Sequence, residues 1–189
     1  MASRRLEPHE LVERLAASSI GSTFNQYAGS ELRRERLAAY LEQRVESPLL
    51  LVGEAAGYRG ARISGIPFTS ERQLSGTGPA EASATIVQAT LAALGLADDV
   101  LLWNVVPTHP GTATSNRRPT REEVEASRPF LEALTRNRRV LAVGRLAAAA
   151  LTGAPYVRHP SHGGAAAFRE GLAAATIRRR RTAVRRVCA

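Results

Sequence analysis

Asn104, His159, Ser161 and Glu54 are the side chains best suited to chemistry in this sequence, and each lies where an apolar run ends. Asn104 lies near the end of the run Val100–Val106, and its amide offers a donor and an acceptor side by side. Buried, that amide must be satisfied, either by neighbouring backbone or by a ligand. His159 and Ser161 share a His-Pro-Ser turn that suits a phosphate or a polarised carbonyl oxygen, although a lone histidine is often structural. Glu54 belongs to the glycine-rich stretch Gly53–Gly60, whose backbone can approach a ligand closely. Phe68, within Gly65–Ser70, is either a stacking platform or a core plug. The spacing His159-x-x-His162 has no third ligand beside it, so no metal is expected. Gly76-Thr77-Gly78 lacks a phosphate-loop lysine, no Gly-x-Ser-x-Gly elbow occurs, and Cys188 is too peripheral for a nucleophile.

The chain that must position these groups has 189 residues and 20.3 kDa, enough for one domain with its own core. With 44% hydrophobic but 5% aromatic residues, that core is built of Leu, Val and Ala. One cysteine excludes a disulfide framework and a cysteine-ligated cluster. The net charge is +9, and all 26 basic residues are arginines. Six of them fall in Arg178–Ala189; the residues before it carry 20 Arg against 17 acids. We therefore divide the chain into a domain over 1–177 and an Arg-rich, disordered tail over 178–189 that attracts polyanions or serves solubility alone. Arg117, Arg118 and Arg121 form a second basic cluster in a polar loop. Without a signal peptide or a membrane span, a soluble cytoplasmic protein of bacterial type is expected.

Four continuous apolar runs read as buried strands: Leu49–Val52, Val100–Val106, Val140–Val143 and Pro155–Val157. Helical patterns cover Pro8–Ala17, Glu31–Val45, Ala80–Leu94, Thr120–Thr135, Arg145–Leu151 and Gly164–Ala175. Thr120 and Glu123 make a capping box, and Pro129 predicts a kink or break. The alternation gives an α/β class: a three-layer α/β/α sandwich around a four-stranded, mainly parallel sheet. Ligands of such sheets sit beyond the strands' carboxyl ends, where the polar loops above converge.

In order, the strings GEAAGYRG…GIPFTSE, WNVVP, SNRRPTREEVEASRPFL, AVGRLAAAALTG and HPSHGG resemble the uracil-DNA glycosylase superfamily, in particular its iron–sulfur branch, from about Leu49 to Leu172. The resemblance implies an enzyme that flips deoxyuridine out of DNA and hydrolyses its N-glycosidic bond. Phe68 would stack on the base, and Asn104 would read its O4 and N3 edge. His159 would hydrogen-bond O2, and the amides around Glu54 and Ala55 would grip the base. Ser161, His162, Gly163 and Gly164 would hold DNA backbone, with Arg117 and Arg118 adding sequence-independent binding. The implied partner is single- or double-stranded DNA, with no membrane, the protein is expected as a monomer, and no cofactor is expected.

Three departures from the family pattern stand out. Ala55 stands where many relatives place a water-positioning Asp or Asn, and Tyr58-Arg59-Gly60 replaces a further acidic position of the branch. Glu54 is the first candidate for the missing group, beside His159. Thr108 and Ser127 stand at two cluster-cysteine positions, so an iron-free protein is expected. His162-Gly163-Gly164 offers no apolar wedge to fill the gap left by a flipped base. Because no lysine exists, no side-chain amine can attack the sugar, and a monofunctional enzyme leaving an intact abasic site is expected. The rival expectation is a non-catalytic or covalent binder of uracil-containing or abasic DNA. A small nucleotide-binding enzyme on a generic α/β sheet is a third, disfavoured by the absent lysine.

Overall fold

Leu49–Ala55 (β1) is buried on both faces through its first five residues, which is why it lacks the alternation of a half-exposed strand. In the computed structural model, which describes residues 7–187 and the side chains of 7–176, β1 lies inside a four-stranded sheet. It pairs in parallel with Val100–Val106 (β2) on one side and Arg139–Val143 (β3) on the other. Tyr156–Val157 (β4) pairs in parallel with β3, giving the order β2-β1-β3-β4. Every pairing is parallel. β1 runs three residues past its expected end, because Ala55 still pairs with Val106.

Successive side chains of β1 point to opposite faces, and each face has its own helices. Leu50 and Val52 pack with Pro8–Ala16 (α1), Glu31–Gln43 (α2), Arg121–Thr135 (α6) and Arg145–Ala150 (α7) through Leu11, Leu37, Phe130 and Leu146. Leu49 and Leu51 meet Val87 and Leu91 of Ala82–Ala93 (α5) and Phe168 and Leu172 of Ala165–Val187 (α8). The chain thus leaves β1 for α5 on one face and β2 for α6 on the other. That divergence opens a crevice at the carboxyl ends of the two strands.

Three features depart from expectation. The stretch between β1 and α5 is not one loop; it contains two short helices, Ala61–Ser64 (α3) and Glu71–Ser75 (α4). Each is closed by a left-handed glycine, Gly65 and Gly76, which accounts for their brevity. α6 opens with its Thr120–Glu123 capping box, as anticipated, but is not broken at Pro129. Pro129 lies on the exposed side of the helix, so the carbonyl deprived of its N–H partner, that of Glu125, faces solvent. Finally, the backbone of α8 is helical through Val187, into the segment set apart as a tail. The side chains of that Arg-rich segment, and residues 188–189, lie outside the described residues.

Candidate active site

Gly53 and Asn104 are register partners near the carboxyl ends of β1 and β2, and they found the site. A Cβ on Gly53 would stand 2.7 Å from Phe68 Cε2 and 2.8 Å from Asn104 Oδ1. The absent side chain is therefore what lets Phe68 and Asn104 approach one another over the strand. Asn104 is 4% exposed, and its side-chain amide makes no hydrogen bond among the described residues. Its donor and acceptor are both free for a ligand's edge.

Phe68 is held in the left-handed region at φ 51°, a conformation that costs a non-glycine residue on the order of 1 kcal/mol or more. Gln88 of α5 fixes it there, donating to the Phe68 carbonyl at 3.1 Å and to Thr69 Oγ1 at 3.2 Å. The half-buried ring faces that of His159 with 6.5 Å between centroids and 37° between planes.

His159 follows β4. The backbone N–H of Ser161 donates to His159 Nδ1 at 3.2 Å, so Nδ1 is the unprotonated nitrogen and Nε2 carries the hydrogen. Ser161 Oγ lies 2.7 Å from the same Nδ1 and 3.0 Å from His162 Nδ1. Its one hydrogen goes to His159, and it accepts from His162. Burial, then the charges of Arg158 and His162, push the His159 imidazole down to about 4. The ring is a neutral Nε2–H donor at neutral pH. A Cβ on Gly164 would collide with the His159 carbonyl oxygen, so only glycine lets the turn close.

Glu54, the expected water-activating group, alternates with Gly53 and points to the sheet face opposite Phe68 and Asn104. Burial raises its carboxyl above the usual value, and the charge of Arg118 opposes the rise. Ala55 ends β1 beside Val106. Ser161, His162 and Gly163 lie at the surface of the turn, with His162 at φ 51° and Gly163 at φ 74°. Arg118 is exposed. Arg117, expected to bind phosphate, is committed elsewhere: Nη1 donates to Glu123 Oε2 at 2.8 Å and Nη2 to Ser22 Oγ at 2.9 Å. Glu123 is 1% exposed, and this pair holds it well below the carboxylate range.

Thr108 and Ser127 are both fully buried and satisfied, Thr108 against Thr23 Oγ1 at 2.6 Å and Ser127 on the Glu123 carbonyl at 2.8 Å. Hydroxyls in closed hydrogen bonds do not fit an iron–sulfur cluster, which needs thiolates. Among the described residues no three His, Cys, Asp or Glu gather as metal ligands.

Three further residues, none of them singled out by sequence, also meet at this edge. Asn116 Oδ1 accepts from Tyr58 N–H at 2.9 Å and pins the glycine-rich loop. Buried His109 spans the Ala56 and Thr112 carbonyls, each at 2.7 Å, and both bonds form together only when both ring nitrogens carry hydrogen. Glu81, immediately before α5, sets its carboxylate over Gly57 and Gly60. Its one sequence signal was a glutamate at a helix N-cap, where Ser, Thr, Asp or Asn is usual.

The family model of the uracil DNA glycosylase superfamily matches residues 41–183. No curated protein sequence matches the chain. Among solved structures, it is similar to the crystal structure of wild-type Pedobacter heparinus SMUG2, at 14% identity and a TM-score of 0.66, over 92% of this chain and 98% of that one. At that identity the likeness is one of fold.

Proposed function

The chain belongs to the uracil DNA glycosylase superfamily, and on that premise we propose that it is a monofunctional uracil-DNA glycosylase acting in base-excision repair. The observation that carries the reading is the unpartnered amide of Asn104 beside the Phe68 ring over Gly53, with that ring in turn facing the neutral His159 imidazole.

A flipped uracil presents O4 as acceptor and N3–H as donor, and one amide satisfies both. Cytosine presents N4–H and a bare N3, so the same amide opposes it with unpaired groups. Stacking on Phe68 fixes the plane of the base. As the glycosidic bond breaks, negative charge grows on O2, where His159 Nε2–H donates. A neutral donor suits this role because the departing anion is stabilised by a hydrogen bond without a proton being lost to it beforehand. The backbone amides of Glu54 and Ala55 border the base, and Ser161, His162, Gly163 and Gly164 with Arg118 hold the flanking phosphates. With no lysine in the chain, hydrolysis leaves an intact abasic site.

Ala55 favours a second reading, a binder of uracil-containing or abasic DNA without turnover. Incubation of the purified protein with end-labelled DNA carrying one uracil, single-stranded or opposite G or A, separates the two. Breaks that appear only after alkali establish the monofunctional enzyme. An unbroken strand with a tight complex on abasic DNA establishes the binder.

A further inference from the structure

Glu81 reaches from the start of α5 into the glycine-rich loop after β1. A Cβ on Gly57 would stand 2.7 Å from Glu81 Oε2, and one on Gly60 would meet the same oxygen, with Cδ at 3.0 Å. The carboxylate therefore fills the space that side chains at 57 and 60 would occupy.

Glu81 is tied down through its backbone and through its carboxylate. The Glu81 backbone N–H donates to Ser70 Oγ at 2.8 Å, two residues beyond Phe68, and Ser83 Oγ donates to Oε1 at 3.1 Å. Oε2 has no protein partner among the described residues, yet is not among the atoms sealed from solvent. Glu81 thus sits between the Phe68 loop and the loop after β1, with one oxygen free. Its surroundings suit a proton acceptor: burial raises the carboxyl above its ordinary value, while the Ser83 hydrogen bond and the charge of His109 restrain the rise.

We infer that Glu81, cradled over Gly57 and Gly60, is the carboxylate that orients and deprotonates the attacking water. The inference rests on the glycosylase reading above. The water oxygen bonds to C1′ as the C1′–N1 bond breaks. The electron pair of that bond leaves with the uracil ring, held at O2 by His159, and one water proton passes to Glu81 Oε2. Glu54, turned to the other sheet face, takes no part in this step.

The test is single-turnover release of uracil by the full chain and by Glu81→Gln and Glu81→Asp, with melting temperature and abasic-DNA affinity measured alongside. Glu81→Gln keeps the shape and the Ser83 contact but cannot accept the proton. The expected result is a loss of about 100-fold or more for Glu81→Gln at unchanged melting temperature and affinity, with partial retention in Glu81→Asp. An active parent with Glu81→Gln within about threefold of it overturns the inference alone. So do equal losses in both Glu81 variants that follow a fall in melting temperature, which make Glu81 a structural support. A parent that releases no base from any strand overturns the glycosylase reading and this one together.

Discussion

The rings of Phe68 and His159 face each other at 6.5 Å although they lie 91 positions apart in the chain. One is fixed by a strained backbone and an α5 glutamine, the other by its own turn. The amide of Asn104 lies beside Phe68, where Gly53, lacking a side chain, leaves room for both.

Removing the Asn104 amide should separate function from folding. Because the side chain has no protein partner, Asn104→Ala is expected to change stability by less than about 1 kcal/mol. Uracil release should fall by roughly 100-fold or more, since the base loses its reading edge. Thermal melts and single-turnover assays on the same preparation check both halves.

His159 should remain neutral well below pH 6. Its folded value, about 4, lies below the ordinary 6.5, so the neutral ring is the form that folding favours. The associated stability is complete above about pH 6.5 and is lost as pH falls from there toward 4. Carbon chemical shifts of the imidazole, followed by NMR from pH 3 to 8, measure this directly. A midpoint near 6.5 would contradict the burial assigned to the ring. His159→Ala should lower uracil release by about 100-fold.

The Arg117–Glu123 clamp should act on stability rather than on catalysis. Glu123 is held at about 2, below its ordinary 4.5, so its contribution is present above about pH 4.5 and lost as pH falls toward 2. Glu123→Gln is expected to cost roughly 3 kcal/mol at pH 7 and little near pH 2. Urea unfolding at the two pH values distinguishes this from a pH-independent packing defect.

Deleting residues 178–189 removes six arginines while keeping Phe168 and Leu172 in the core. DNA affinity is expected to drop and to depend less steeply on salt, the log–log slope falling by about 0.9 for each phosphate that the arginines no longer neutralise. The rate from saturating substrate should stay the same. An unchanged slope would remove the tail from the DNA-binding surface.

Much of the architecture is legible from the chain, because long apolar runs such as Val100–Val106 have one stable placement inside a doubly covered sheet. The Thr120 capping box is equally local and equally readable. Phe68 and Asn104 are brought together as the residue types suggested, since each lies at a strand end or in the loop after one. The commitment of Arg117 to Glu123 was hidden, because a guanidinium aimed at phosphate and one aimed at a buried carboxylate look alike in sequence. The unbroken α6 was hidden too, since the cost of Pro129 depends on which way one carbonyl faces. Glu81 was the least visible: its position over Gly60 follows from how α5 docks, 21 residues further along.

The overlap of the Glu81 carboxylate with the side-chain positions of Gly57 and Gly60 couples these three sites in descent. A side chain at 57 or 60 would swing the flexible Glu81 carboxylate away from its place over the loop. Homologues should therefore fall into two groups, glycines with a glutamate before the helix, or a side chain in the loop with a smaller residue there. Mixed combinations should be rare, as intermediates that crowd the loop.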